Sequence, residues 1–148
     1  MYAVLIAGGK GERLQPLTAD RPKPMVEVGG QPVMAHQIEW LIGEGIDHFV
    51  VSCGVMHNVI QEHFGDGQTL GVNITYAIEE SPLGRGGGLR QGCRMIPDSE
   101  DVFIATNADI LSAQSLAPLL AQHREDENIA TILLTPFVSQ FGIVEVDG

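Results

Sequence analysis

The chain has 148 residues, 44% of them hydrophobic but only 5% aromatic, with a formal net charge of −11; it is long enough for one domain with an aliphatic core. So acidic a balance argues against a nucleic-acid or anionic-membrane partner, no run of eighteen apolar residues is present to span a bilayer, and the amino terminus enters a strand without the charged start and cleavage site of a secretory leader. A cytoplasmic protein is expected, with Cys53 and Cys93 as reduced, buried thiols, because they make neither a CxxC pair nor a metal spacing.

Ala3 to Ala7, AVLIA, reads as a buried strand. Gly8 to Met25, GGKGERLQPLTADRPKPM, then forms a long connection before helical periodicity begins at Pro32. About a dozen residues is already long for an unstructured connection in a compact domain, and such loops are functional or disordered. Glycines and prolines at separate places, not a low-complexity tract, favour function. Gly8, Gly9 and Gly11 allow backbone N–H groups to converge on an anion. Lys10, Arg13, Arg21 and Lys23 supply four of the eight basic residues, and Pro22 and Pro24 hold the backbone around Lys23 extended. The stretch reads as a phosphate cradle, although a glycine-rich turn after a strand also occurs in α/β folds without a ligand. A P-loop string is absent, and a dinucleotide fingerprint needs glycine where Leu14 stands.

Pro32 suits the first position of a helix carrying Met34, Ile38, Leu41 and Ile42, with Gly45 as its stop. Val50 and Val51 mark a second strand within 47–53, and a short helix with Val59, Ile60 and Phe64 closes at Gly65. Val72 to Ile78 alternates as a third strand. Ser81 to Gly88, SPLGRGGG, is turn chemistry running into a weak helix with Leu89 and Cys93. A fourth strand, Asp101 to Thr106, stops at Asn107-Ala108-Asp109. A helix begins near Ser115 with Pro118 in its first turn, Ile129 to Thr135 is a fifth strand and Ile143 to Val146 a sixth. Strands alternating with helices imply an α/β fold, a Rossmann-like three-layer sandwich with a mostly parallel sheet.

Ligands of such sheets bind beyond the carboxyl ends of the strands. The first loop, the Ser81 to Gly88 segment and Asp109 all follow strands, so they are expected on one rim. Arg85, Arg90 and Arg94 leave only Arg124 outside the two glycine-rich segments, as suits a small polyanion, although chance clustering on solvated faces gives the same count. Asp109 is either a site carboxylate or a helix N-cap, and the next helix starts several residues later. The histidines show no metal spacing, and no Ser-His-Asp set or GxSxG elbow is visible.

The string GG-x-G-x-RL-x-PLT followed by PKPM, present as Gly8, Gly9, Gly11, Arg13, Leu14, Pro16, Leu17, Thr18 and Pro22 to Met25, resembles the signature of the sugar nucleotidyltransferases, and most resembles mannose-1-phosphate guanylyltransferases. EESPLGRGGGL resembles that family's PLGTAGAL segment, with Arg85-Gly86 where Thr-Ala is usual, and FGIVEVDG resembles its sugar-contacting strand. The resemblance implies a nucleotide-diphospho-sugar transferase fold and transfer of a nucleotidyl group from a nucleoside triphosphate to a sugar 1-phosphate. It implies catalytic roles for Arg13, Lys23 and Asp109, with Asp109 holding Mg²⁺. Nucleotide contacts are implied at Leu5, Ala7, Gly8, Gly9, Gly11, Glu79, Pro82, Gly84 and Asn107, and a sugar contact at Gly142. Glu79 or Glu80 would face the base; a carboxylate accepts from guanine N1–H and its amine together, so GTP is the preferred substrate. Solvated strand-end charge is the alternative for that pair. The family's later Glu-Lys-Pro motif is absent, so residues 1–148 are expected to form the nucleotide half of a nucleotidyltransferase domain, truncated before its sugar half, with a strand edge open to homo-oligomer formation. A nucleotide-binding fragment or regulatory module without turnover is the other reading, and a nicotinamide- or methyl-donor-binding domain a distant third.

Overall fold

The computed structural model describes residues 1–9 and 11–134, in two compact units, Met1–Gln114 and Ser115–Gly148. The first contains β1 (Tyr2–Ile6), a small hairpin of β2 (Glu27–Val28) and β3 (Gln31–Pro32), α1 (Val33–Gly43), β4 (His48–Cys53), α2 (His57–Phe64), β5 (Asn73–Ile78), α3 (Gly84–Cys93) and β6 (Phe103–Asn107). The second contains α4 (Ala117–Glu125).

The main sheet is parallel throughout, in the order β5-β4-β1-β6. The chain builds outward from β1 through β4 to β5, then returns to the other side of β1 with β6. The order therefore reverses between β1 and β6, where an open α/β sheet forms its ligand crevice. Ala3, Val4 and Leu5 are fully buried, as are Val50, Val51, Ser52 and Cys53, which is why β1 and the centre of β4 read as apolar runs without alternation.

Alternation assigns the two faces. Val4 and Val50 pack with Ala77 against Leu89 and Cys93 of α3, whereas Thr106, which pairs with Leu5, is reached by Gln37 of α1 from the opposite face. Helices thus cover both faces, as in a three-layer sandwich. α1 buries Met34, Ile38 and Leu41 and ends in a Schellman motif: Ile46 N–H donates to the Leu41 carbonyl at 3.0 Å and Gly45 N–H to that of Ile42 at 2.9 Å, with Gly45 at φ 86°.

Three expectations need correction. The helix expected to open at Pro32 opens at Val33, because Pro32 serves as the cap with extended backbone and closes the hairpin. α3 starts inside the glycine run, at Gly84. The poor helix propensity of glycine is overridden because the helix lies hard against the sheet: a Cβ on Gly92 would sit 2.6 Å from Val4 Cγ1. Ile129 to Leu134 is not a strand; β-propensity expresses itself only on a packed surface, and Ile129, Ile132 and Leu134 are exposed. The sixth expected strand lies outside the described residues.

Burial has a chemical consequence for the thiols. Cys53 is fully enclosed, and desolvation, with the Glu79 charge adding to it, pushes its thiol up to about 11. Cys93 is half-buried and raised by burial alone. At pH 8 a thiol titrating near 11 is only about one part in a thousand thiolate. Alkylation of the native chain at that pH, followed by mass spectrometry, is expected to label Cys93 well before Cys53; labelling of Cys53 first would contradict the packing of β4.

Candidate active site

Each strand hands its chain to the rim by the same device. Ala7 N–H donates to the Ser52 carbonyl at 2.7 Å, Glu79 N–H to Cys53 at 2.8 Å and Ala108 N–H to Ile6 at 3.0 Å. The ladder thus extends one residue past each strand, which brings the loops after β1, β5 and β6 to one level. Between them is a cavity of about 850 Å³. Its wall includes Ala7, Gly8, Gly9, Gly11, Arg13, Lys23, Glu79, Pro82, Gly84, Asn107 and Asp109, so nearly all the site residues expected from sequence share one space. Leu5 does not: it is fully buried within β1 and is absent from the wall, because its side chain faces the α1 layer with Thr106. Gly142 and Lys10 lie outside the described residues.

The first loop is folded back on itself. Gly11 has φ 65°, and a Cβ there would meet Thr18 Cγ2 at 3.0 Å and Lys23 Cβ at 3.1 Å, so both backbone conformation and space require glycine. Thr18, almost fully buried, donates its hydroxyl to the Gly11 carbonyl at 2.9 Å. Contrary to the extended backbone expected around Lys23, only Pro22 is extended and Lys23–Met25 forms a short helical turn, around which Pro22, Pro24 and Met25 are buried; this anchors the backbone and leaves the Lys23 side chain 43% exposed. Its Nζ lies 2.5 Å from Asp109 Oδ2, a carboxylate 23% exposed. Partly exposed pairs of this kind contribute little net stability, so neither charge is committed to the fold. Asp109 is no N-cap: the next helix starts at Ala117.

The cationic lining is narrower than the sequence suggests. Arg13 and Arg85 reach the wall with Lys23. Arg21 turns to Asp20 at 2.9 Å and Glu27 at 3.2 Å, and the Asp20 carboxyl is held below its usual range by hydrogen bonding with Arg21. Arg90 and Arg94 are exposed and do not line the cavity.

Glu79 is the most constrained carboxylate at the rim. Its Oε1 accepts from Ser52 Oγ at 3.1 Å, and its Oε2 accepts from Leu83 N–H at 3.1 Å. Gly8 and Gly88 make room for it: an added Cβ would lie 3.0 Å and 2.6 Å from Oε1, respectively. The pairing of Glu79 with the Ser81 to Gly88 turn explains why this glutamate, and not Glu80, lines the cavity. Sequence reading missed Ser52, whose polar side chain inside an apolar strand was the available signal.

For a divalent cation the donor set is Asp109 together with whatever phosphate oxygens a ligand brings. Among the described residues no three His, Cys, Asp or Glu side chains gather into a ready-made metal cluster. A hard oxygen donor that already accepts a cation, the Lys23 ammonium, fits the way Mg²⁺ is held, by one or two carboxylates plus substrate phosphate.

A parallel sheet whose reversal point opens into a glycine-lined, cation-bearing cavity places the chain among the α/β proteins that bind ligands at the carboxyl edge of the sheet. Within that class it belongs to the nucleotidyl transferase family, whose model matches residues 2–148. It is 39% identical to a mannose-1-phosphate guanylyltransferase of Mycobacterium tuberculosis, over 89% of this chain and 36% of the relative. It is 34% identical to a UTP–glucose-1-phosphate uridylyltransferase of Synechocystis, over 99% of this chain and 41% of the relative. The crystal structure of HddC from Yersinia pseudotuberculosis complexed with GMP-PN superimposes with a TM-score of 0.73 at 27% identity, over 82% of this chain and 53% of that one. The fold is thus that of sugar nucleotidyltransferases. The chain spans about two-fifths of the length of these curated relatives. Among the described residues no helix is long and apolar enough to cross a membrane.

Proposed function

We propose that residues 1–148 form the nucleotide-binding part of a sugar-1-phosphate nucleotidyltransferase domain that uses GTP and Mg²⁺. The observation that carries this reading is the meeting of Lys23 and Asp109 at 2.5 Å on the wall of the cavity that Gly8, Gly9, Gly11 and Arg13 also line. In the reaction, an oxygen of the sugar 1-phosphate forms a bond to the α-phosphorus, the bond from that phosphorus to the bridging oxygen breaks, and pyrophosphate leaves with the electron pair. No covalent enzyme intermediate is needed, so the protein contributes positioning and charge. Arg13 binds the departing pyrophosphate and Lys23 leaves Asp109 for the α-phosphate. Asp109 would hold Mg²⁺, which supplies charge neutralisation at the phosphate oxygens. The glycine corner offers backbone N–H groups. Reduced Cys53 and Cys93 agree with a cytoplasmic site of action, and the open outer side of β6, unpaired among the described residues, agrees with self-association.

GTP is preferred because a carboxylate fixed by Ser52 and Leu83 keeps its remaining lone pairs for two donors, which guanine presents side by side. The relatives' own bases differ, guanylyl in one case and uridylyl in another, so the base is tested directly. Glu79→Gln can satisfy Leu83 N–H with its oxygen and Ser52 with its amide, leaving one donor facing the base. It is expected to weaken GTP by about 10- to 100-fold, the worth of a charge-assisted hydrogen bond, and to weaken UTP less. Calorimetry with both nucleotides checks this, and equal losses would remove Glu79 from base recognition.

A second reading is nucleotide binding without turnover by a stretch that spans about two-fifths of its relatives' length. A thermal-shift panel of GTP, UTP, dTTP, CTP and ATP with Mg²⁺, run beside a pyrophosphate-release assay with sugar 1-phosphates, separates them. Stabilisation greatest with GTP and accompanied by release supports the enzyme; binding without release supports the module.

A further inference from the structure

Gln37 is a fully buried polar side chain that nucleotidyl transfer leaves without a role. It lies on α1, the helix covering the sheet face opposite α3. Its Nε2 donates to the Asn107 carbonyl at 2.8 Å and to Thr106 Oγ1 at 3.3 Å, while its Oε1 is buried with no hydrogen-bond partner among the described residues. Exchanging the two ends of the amide would set its oxygen against the Asn107 carbonyl, so the orientation is fixed by chemistry. A buried acceptor with no donor costs stability, and leucine, of similar size, would fill the same space without that cost. Packing therefore does not account for an amide here.

What the amide holds is one peptide group. The Asn107 carbonyl and the Ala108 N–H belong to the same plane, and the Ala108 N–H donates to the Ile6 carbonyl at 3.0 Å. That plane is pinned from β1 on one side and from α1 on the other, with Ala108 itself fully buried. The next residue is Asp109. One turn along α1, Trp40 Nε1–H donates to the Gln114 carbonyl at 3.1 Å, so the same helix ties down both ends of the segment 107–114.

Building on the nucleotidyl-transfer reading, we infer that Gln37 is a positioning residue for Asp109: by fixing the Asn107–Ala108 peptide plane, it aims the Asp109 carboxylate at Lys23 and at the cation that accompanies a triphosphate. Rotation of a pinned peptide moves the side chain that follows it, so releasing the Asn107 carbonyl swings Asp109, on the wall that follows β6, and leaves the walls that follow β1 and β5 in place. Arg13 and the glycine corner, carried by the loop after β1, keep their geometry.

The test uses the full chain and a non-hydrolysable GTP analogue, titrated once with Mg²⁺ and once with a chelator. Trp40 is the only tryptophan and its fluorescence serves as a readout beside calorimetry. The quantity compared is the ratio of the two affinities. Gln37→Leu is expected to bring that ratio down about tenfold, close to the value for Asp109→Asn, while the affinity in chelator stays within about twofold of the unaltered chain. A Gln37→Leu chain that keeps the full ratio, or that loses both affinities equally, overturns the inference. Should Gln37→Leu fail to fold, Gln37→Glu has the native shape: its neutral acid donates to the Asn107 carbonyl and its carboxylate repels it. The ratio for Gln37→Glu should then fall as pH rises through the titration of the new carboxyl, and a ratio that follows the unaltered chain at every pH overturns the inference. If the unaltered chain binds the analogue no better with Mg²⁺ than without, the nucleotidyl-transfer reading itself fails, which separates that failure from this one.

Discussion

Asp109→Asn is expected to cut pyrophosphate release by about a thousandfold, the scale on which removing one preorganised charge from a reacting phosphate centre acts. The amide keeps the size and most of the hydrogen bonding of the carboxylate, so fold stability should change little. The Lys23–Asp109 pair is partly exposed on both sides and contributes little to stability. The loss should appear in the metal dependence, because the variant lacks the hard anionic donor that pairs with Lys23. Arg13→Ala is the contrasting case. Its guanidinium is exposed on the cavity wall and can hold phosphate oxygens in a bidentate fashion, so its removal should weaken triphosphate binding by about 10- to 100-fold with or without metal. Titration of both variants in Mg²⁺ and in chelator distinguishes them. Unchanged pyrophosphate release in either variant would remove that residue from the site.

Gly92→Val should have the largest effect on stability. A Cβ at this position lies 2.6 Å from Val4 Cγ1 and 3.7 Å from Val50 Cγ1, and both valines are fully buried in adjoining strands, so neither can move aside cheaply. Two further methyl groups worsen the overlap. Overpacking of this kind costs about 1–3 kcal/mol and occasionally more; with a β-branched residue in a helix that lies flat on its sheet, about 3 kcal/mol is expected. For a chain of this size that corresponds to roughly 6–12 °C in the melting midpoint. The small gain in helix propensity on leaving glycine, at most about 1 kcal/mol, does not offset it. Thermal unfolding followed by circular dichroism measures the shift, and a midpoint equal to that of the unaltered chain would contradict the packing of α3 on β1 and β4.

Those two residues illustrate what a sequence can and cannot convey about this fold. The place of Asp109 on the cavity wall was legible because a carboxylate ending an apolar strand has few structural uses and strand ends of a parallel sheet share one rim. Ala3 to Ile6, Phe49 to Cys53 and Ile38 with Leu41 were legible because burial on one or both faces imprints its period on the chain. The glycines of α3 were not: GRGGG has the local chemistry of a turn, and it is helical only because Gly88 and Gly92 lie against Glu79, Ser52 and Val4, contacts between residues distant in sequence. The hairpin of β2 and β3 carried a readable signal in its two-residue turn, Gly29-Gly30, with both glycines at positive φ. Gln37 and Ser52 had only their polarity within apolar periods to mark them, and their partners Asn107 and Glu79 lie 70 and 27 residues away. The segment Ile129 to Leu134 shows the converse, an apolar run that has strand composition without a packed surface beneath it.

The central proposal is that Gly8, Arg13, Lys23 and Asp109 converge on a triphosphate through its metal, and diffraction tests it most directly. Crystals of the chain grown with Mn²⁺ and a non-hydrolysable GTP analogue should show an anomalous peak at about 2.1 Å from the Asp109 carboxylate, the distance proper to a small octahedral cation, with phosphate oxygens completing its shell and Lys23 turned from Asp109 to the α-phosphate. An anomalous peak away from Asp109, or a triphosphate seated outside the glycine corner, would contradict it.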